Sequence, residues 1–196
     1  MSDASGEPRS AVVLDFLAHG RSDGARPQYE RGTPIGYAVD TSDFTLYELE
    51  FEAGEGMTIG SSVTVDPAEA RSPELASVTP VNYETLSSGA RSELEYVVED
   101  VVESDEERFV NFYNEAQPIT LRLHQLNLLP GIGKKLRNAI LDERKRKPFE
   151  SFEELDERVT GLHDPSGVLI DRILEELRDE DLKYRIFVGR RPDAEE

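Results

Sequence analysis

The stretch that decides the fold of the C-terminal half is LRLHQLNLLPGIGKKLRNAILDERKRK, residues 121–147. Amphipathic segments flank Pro-Gly-Ile-Gly, which predicts a helix, a tight turn and a second helix. The second helix ends before Pro148, because proline cannot continue a helical hydrogen-bond pattern. Gly131 and Gly133 allow positive φ and a close approach of the backbone to a ligand. Ile132 is expected to anchor the turn in the apolar groove between the helices.

This turn has the chemistry of a phosphate-binding site. The first N–H groups of the second helix lack intrahelical acceptors, and the helix dipole adds roughly half a positive charge there. A phosphate oxygen satisfies both. Lys134 and Lys135 add mobile cations, and Lys134, Asn138 and Lys145 share one stripe of the second helix. The candidate nucleic-acid-binding residues are Pro130, Gly131, Ile132, Gly133, Lys134, Lys135, Arg137, Asn138 and Lys145.

Both features have plainer interpretations. Pro-Gly-Ile-Gly also makes a simple turn between two helices that binds nothing. The basic run Arg144, Lys145, Arg146 and Lys147 also fits a solvated helix end, where the dipole alone favours cations.

The charge is unevenly distributed along the chain. Its 41 acidic and 22 basic residues give a net charge of -19, yet residues 119–149 carry a net charge of +6 and the remainder carries -25. Only five of the cations are lysine and 17 are arginine. This combination predicts adaptation to concentrated salt, where the Debye length falls to about 3 Å and repulsion between carboxylates is screened. The alternative is an ordinary acidic protein.

Short apolar runs in the N-terminal half predict strands at residues 11–18, 35–40, 45–52 and 62–66, separated by turn residues. Closely spaced short strands are typical of a small β-barrel, OB-like or related. Residues 19–34 predict a long exposed loop. Tyr29, Tyr37, Phe44 and Tyr47 are candidates for stacking on nucleobases, or else core residues.

The remaining C-terminal sequence predicts further helices. Apolar spacing from Leu94 to Val102 fits a helix face, and residues 104–107 and 151–154 are capping-box signatures. Asp164-Pro165 is predicted to start the last long helix. Its apolar face comprises Leu169, Ile170, Ile173, Leu174 and Leu177.

The turn and its flanks resemble the helix-hairpin-helix family, whose hairpin reads apolar-Pro-Gly-Ile-Gly with a basic or polar residue after it. That resemblance implies that the amides of Gly131, Gly133 and Lys134 face a phosphate. A second candidate hairpin, GLHDPSG at residues 161–167, has Asp164 where phosphate should approach. We expect it to be structural and to pack against the first.

The whole chain is similar to an archaeal family, domain of unknown function 655. The stretches that carry this resemblance are VLDFLAHGRSDGARP, ERFVNFYNEAQPITLRLHQLNLLPGIGKKL and ERKRKPFESFEELDERV. The resemblance implies nucleotide or RNA binding, an OB-like N-terminal domain and a link to translation or ribosomal RNA maturation. The chain departs from the expected pattern at residues 66–71, where DPAEAR replaces a basic run.

We therefore expect an α+β protein: a small OB-like β-barrel and, after it, an all-α helix-hairpin-helix domain. The expected organisation is a disordered tail at 1–10, the barrel at 11–82, connecting helices at 83–118, the helix-hairpin-helix domain at 119–188 and a second disordered tail at 189–196.

Neither export nor catalysis is expected. The chain has no cysteine, no signal-peptide pattern and no apolar run of membrane-spanning length, which predicts a cytoplasmic protein without membrane contact. His19, His124 and His163 are scattered, and Asp156 lacks the context of a glycosylase, so we expect no enzyme, cofactor or metal.

Three hypotheses fit these features. The first is an RNA-binding module with ribosomal or rRNA-processing partners. The second is a sequence-independent DNA-binding accessory of repair or recombination. In both, the ligand is the nucleic-acid backbone. The third is a protein-interaction scaffold whose acidic surface excludes nucleic acid.

Overall fold

A computed structural model describes residues 7–21, 32–52 and 56–189. The chain divides into two compact units, one of Met1–Tyr96 with Val188–Glu196 and one of Val97–Phe187. Most of the predicted tails and of the predicted loop at 19–34, including Tyr29, lies outside the described residues. No helix in the described part of the chain is both long and apolar enough to cross a membrane.

The N-terminal unit is built on a curled antiparallel sheet of five strands, in the form of a half-barrel. The strands are β1 Arg9–Leu17, β2 Ile35–Asp40, β3 Leu46–Phe51, β4 Ser62–Asp66 and β5 Leu75–Val81. Their order is β4-β1-β2-β3-β5. Within the described residues β4 and β5 are edge strands, so the sheet is an open half-barrel where a small OB-like barrel was predicted. The mixed α+β class is confirmed.

The sequence predicted four of these strands and missed β5. Its seven residues include Pro80, which cannot donate to a neighbouring strand, and most of its side chains are partly or fully exposed. Proline is tolerated because β5 pairs only with β3 in the described sheet, with Pro80 opposite Tyr47. A Pro-containing, half-exposed edge strand has little of the apolar alternation that identifies strands.

The predicted stacking aromatics belong to the core instead. Tyr37, Phe44 and Tyr47 are 2%, 1% and 7% exposed. Every residue of β2 is buried, so both faces of this central strand are covered. The stacking prediction is therefore wrong for these three rings.

Both ends of the chain contribute to the N-terminal unit. Arg9 and Ser10, predicted to be disordered, belong to β1, and Arg9 Nε donates to Asp40 Oδ2 at 2.8 Å. The Gly189 N–H donates to the Asp43 carbonyl at 3.0 Å. The ordered part of the unit therefore extends beyond the predicted limits of 11 and 82.

The helices are α1 Ser88–Ser104, α2 Glu106–Glu115, α3 Lys134–Arg146, α4 Phe152–Arg158 and α5 Pro165–Arg178. Short 3-10 helices occupy Ala68–Ala70, Tyr83–Thr85 and Gln125–Leu128. Ser151 caps α4 and Asp164 caps α5 with side-chain acceptors, as predicted. The prediction of a capping box at residues 104–107 was wrong, because the N-cap of α2 is Asp105 and its side chain makes no capping hydrogen bond.

The helix predicted before the Pro-Gly-Ile-Gly turn is a single 3-10 turn, Gln125–Leu128. Leu129 is extended, with ψ 136°, because the residue before a proline is displaced from the helical region. His124 caps the other end. Only four residues remain between these two limits, too few for an α-helix.

The predicted connector helix α2 packs inside the C-terminal unit. The Tyr113 hydroxyl donates to the Pro165 carbonyl at 2.7 Å, and Asn114 Nδ2 donates to the Phe149 carbonyl at 2.9 Å. Arg144 Nη1 donates to the carbonyls of Tyr113 and Ala116, at 3.0 and 2.9 Å. These bonds fix the end of α2 against α3, α5 and the segment between α3 and α4.

A buried ion pair lies on α5. Glu176 is fully buried and accepts Arg172 Nε at 3.0 Å and the N–H groups of Ile186 and Phe187 at 2.8 and 2.9 Å. Arg172 also donates to the carbonyls of Leu128 and Tyr184, at 3.2 and 2.6 Å. The pair thereby joins α5 to the segment before the turn and to the end of the unit.

Replacing Glu176 by glutamine is expected to lower the free energy of unfolding by about 3–5 kcal/mol, because the buried Arg172 guanidinium loses its buried counter-charge and keeps only the half-exposed carboxylate of Glu175. The matched control is Glu175→Gln, which removes the other carboxylate on Arg172, a side chain that is 51% exposed. That change is expected to cost less than about 1 kcal/mol. Urea unfolding at constant KCl measures the change in the free energy of unfolding for both variants. Equal effects of the two variants would contradict the assignment of Glu176.

Candidate nucleic-acid interface

The predicted turn, residues 130–135, joins the 3-10 helix to α3. Gly131 has φ +77°, which a glycine adopts without strain, whereas Gly133 has φ -86° and ψ -172° and is extended. The expectation of positive φ therefore holds only for Gly131. Ile132 is 4% exposed and donates its N–H to the Leu129 carbonyl at 3.3 Å, so it is buried as predicted.

The backbone of the turn is open to solvent. A Cβ built on Gly131 or Gly133 meets no atom within 4 Å. Pro130, Lys134 and Lys135 are exposed. A ligand can therefore approach the main chain at both glycines.

The N-terminus of α3 lacks a side-chain cap. Its N-cap residue is Gly133, which has no side chain to accept from the first amides. By contrast, Ser151, Asp164 and His124 supply such acceptors to α4, α5 and the 3-10 helix. The first N–H groups of α3 consequently remain available to an external acceptor.

Asn127 supports the turn from within the unit. Its Nδ2 donates to the Ile132 carbonyl at 3.2 Å, and its Oδ1 accepts Arg137 Nη1 at 3.0 Å and the His124 N–H at 3.3 Å. Sequence reasoning missed Asn127, although a polar residue within the apolar run LNLL, residues 126–129, was a detectable signal. Arg137 was predicted to contact nucleic acid, but Asn127 and Asn138 hold its guanidinium.

His124 is a buried cap of the 3-10 helix. Its Nδ1 accepts the Leu126 N–H at 3.1 Å, and the residue is 6% exposed. Burial lowers the pKa of His124, and the cations of Arg144 and Arg137 lower it further. The cap also requires an unprotonated Nδ1, so the folded protein favours the neutral ring.

The basic residues of α3 separate into two groups. Lys134, Lys135 and Lys145 are exposed and form no ion pair within the described residues. The other cations of the basic run have partners: Arg144 donates to backbone carbonyls, Arg146 pairs with Glu143, and Lys147 pairs with Glu150. Contacts within the described chain therefore account for Arg144, Arg146 and Lys147, whereas the exposed Lys145 fits either a solvated helix end or a ligand contact.

The second predicted hairpin shares part of its backbone conformation with the first, although its N-cap, Asp164, is left-handed where Gly133 is extended. Gly161 has φ +94°, Leu162 is 2% exposed, and its N–H donates to the Val159 carbonyl at 3.2 Å, as Ile132 donates to Leu129. The helix start differs, because Asp164 Oδ1 accepts the Gly167 N–H at 3.0 Å. A carboxylate already caps the helix there.

The geometry defines an α+β protein with an open, uncapped and basic turn in its helical unit. The chain belongs to the family described as "Protein of unknown function (DUF655)", whose model matches residues 7–189. It is 38% identical to the uncharacterized protein MJ0038 of Methanocaldococcus jannaschii over 185 residues, 91% of this chain and 78% of that protein. The crystal structure of Af1531 from Archaeoglobus fulgidus, also of this family, matches with a TM-score of 0.79 and 37% identity, covering 92% of this chain and 99% of that one.

Acid is expected to destabilise the support of the turn through His124. Because the folded pKa lies below the unfolded value of 6.5, the unfolded chain binds the proton more tightly. The stabilising contribution of this residue is therefore complete above that value and is lost as pH falls below it, until the folded pKa is passed.

His124→Asn is the matched control, since an asparagine side chain also accepts a capping bond but does not titrate in this range. The difference in free energy of unfolding between wild type and variant, measured from neutral pH downwards, is expected to change in favour of the variant. A difference independent of pH would contradict this role of His124.

Proposed function

We propose that this protein binds nucleic acid, RNA foremost, by phosphate contacts at the 130–135 turn. The observation that carries the proposal is that the first turn of α3 has no side-chain cap while Lys134 and Lys135 beside it are exposed and unpaired within the described residues. Amide donors and cations then converge on one exposed point. An anionic oxygen is the ligand that fits this combination.

The contributions differ between residues. The amides of Gly131, Gly133 and Lys134 are fixed donors, since the backbone there is held by the bonds of Asn127 and Ile132. The ammonium groups of Lys134 and Lys135 are mobile cations that attract phosphate from a distance. Arg137 acts as a positioning residue through Asn127.

The contact surface extends along α3. Lys134, Asn138 and Lys145 lie on one exposed stripe. At about 1.5 Å per residue, Lys134 and Lys145 are separated by roughly 16 Å along the helix, the length of about five nucleotides. A single backbone strand running along α3 would therefore meet both ends of the stripe.

Salt favours donors that do not depend on counterion release. Binding through lysines weakens steeply as salt rises, whereas backbone amides keep their direction and partial charge. We propose that the acidic chain works in a salt-rich cytoplasm, where its surface carboxylates keep it dissolved. The turn then supplies the part of the affinity that salt reduces least.

We propose RNA rather than DNA as the main ligand because of the N-terminal sheet. We propose that the curled sheet is an OB-like module, a class that binds single strands, and that the helical unit is of the helix-hairpin-helix type. Ribosomal or rRNA-processing partners are proposed on the family resemblance alone. Stacking by Tyr37, Phe44 and Tyr47 has no part in this proposal, because all three rings are buried.

Gly133→Asp tests the turn without disrupting the fold. Gly133 is extended and has no atom within 4 Å of a built Cβ, so aspartate fits and can cap α3 as Asp164 caps α5. RNA affinity is expected to fall about 10- to 100-fold, the equivalent of roughly 1.5–3 kcal/mol for hydrogen bonds to a charged group. The melting temperature is expected to stay equal or rise.

Thr160→Asp is the matched control, because it adds the same charge at an exposed position of the second hairpin. Fluorescence anisotropy in molar KCl, with labelled single-stranded RNA, structured RNA and duplex DNA, measures all three proteins. Equal losses in both variants would indicate general charge repulsion. If the wild type binds none of the three ligands, the scaffold hypothesis replaces the proposal.

A further inference from the structure

A rigid loop precedes the 3-10 helix at residues 118–124. The N–H groups of Ile119 and Thr120 donate to the Leu123 carbonyl at 2.7 and 3.0 Å. Thr120 Oγ1 accepts the N–H groups of Arg122 and Leu123 at 3.3 and 3.0 Å, and Pro118 and His124 form a β-bridge. The tip of the 118–124 loop, Leu121 and Arg122, is thus held in a fixed conformation.

Leu121 at this tip is fully exposed, at 107%. Among the large apolar side chains that the structure describes, the other exposed ones are Ile59 at 49% and Tyr96 at 68%. A scattered exposed leucine is ordinary on a protein surface. Complete exposure at a hydrogen-bonded tip is different, since the loop projects the side chain away from its own unit.

The charges of the neighbouring residues indicate which kind of partner would bind the Leu121 side chain. The 118–124 loop overlaps the segment 119–149, which carries +6 in a protein of net charge -19. Arg122 beside Leu121 is exposed and forms no ion pair in the described part of the chain. An apolar tip flanked by such a cation matches a partner that offers apolar faces and negative charge together.

Leu121 lies close enough to the 130–135 turn for one nucleic-acid strand to contact both the leucine and the turn. Between Leu121 and Gly131 the chain has one 3-10 helix of four residues and short extended pieces. At about 2 Å per 3-10 residue and 3.3 Å per extended residue, the separation is at most about 30 Å, or roughly nine nucleotides.

We propose that Leu121 packs against an unstacked nucleobase of the nucleic acid held at the 130–135 turn, with Arg122 on an adjacent phosphate. This inference rests on the proposed function. Nucleobases have apolar faces, and apolar side chains such as leucine act as wedges between base steps in other nucleic-acid complexes. A contact of this kind releases no counterions, so it persists at the salt concentrations that weaken lysine contacts.

Leu121→Ser is expected to weaken binding of single-stranded RNA about 10- to 100-fold, the loss that corresponds to exposing one leucine side chain. The factor is expected to stay the same as KCl rises. Lys134→Gln is expected instead to reduce the slope of log affinity against log salt by about 1. Ile59→Ser is the matched control for an exposed apolar residue elsewhere, and Leu121→Met is expected to retain binding.

The readout specific to a base contact is 2-aminopurine fluorescence at successive RNA positions, which rises when a base is unstacked. The expected result is a rise at one position with wild type and Leu121→Met, absent with Leu121→Ser. If RNA binds and Gly133→Asp abolishes it, while Leu121→Ser changes neither affinity nor fluorescence, the loop inference is overturned and the turn stands. Loss of self-association in Leu121→Ser with unchanged RNA binding, measured by sedimentation, overturns it in favour of a contact between copies.

Discussion

The buried pair of Arg172 and Glu176 is the interaction on which the helical unit depends. The carboxylate of Glu176 accepts from Arg172 Nε and from the N–H groups of Ile186 and Phe187, and the guanidinium of Arg172 reaches the Leu128 and Tyr184 carbonyls. Phe187, whose N–H is one of those donors, packs its ring 5.0 Å from that of Phe112. Three separate segments therefore meet at one charged centre. Because burial of an ion pair is costly, its contribution lies in specifying this arrangement more than in adding stability.

The same centre explains the stiffness of the candidate site. Arg172 fixes the Leu128 carbonyl at the end of the 3-10 helix, and Asn127 in that helix fixes the Ile132 carbonyl within the turn. Each bond positions backbone, so the amides at Gly131 and Gly133 point in set directions before any ligand arrives. A binding site organised in advance loses less conformational entropy when it is occupied.

Local chemistry in the sequence predicted what is local in the structure. The glycine of the turn, the buried Ile132 and the caps at Ser151 and Asp164 depend on neighbours in the chain. Arg172 acts through the distant Leu128 carbonyl, which spacing does not reveal, whereas the partners of Asn127 are nearby in the chain. Strand β5 was missed for a related reason: Pro80 is tolerated only because of where that strand lies in the sheet. The aromatic rings of β2 and β3 were visible as strand residues, but the burial of both faces of β2 depends on the whole unit.

Two hairpins that share part of their backbone conformation offer an internal comparison. In each, a glycine with positive φ precedes a buried aliphatic residue whose N–H returns to the carbonyl three residues earlier. The two hairpins differ at the start of the second helix: Gly133 leaves the amides of α3 uncapped, whereas Asp164 caps α5 with its own carboxylate. Glycine at an N-cap is less stabilising than aspartate by only roughly a few tenths of a kcal/mol, so an uncapped start at Gly133 costs α3 little. Helix α2 also begins without a side-chain cap, so what sets the start of α3 apart is that its free amides lie beside two exposed lysines, Lys134 and Lys135.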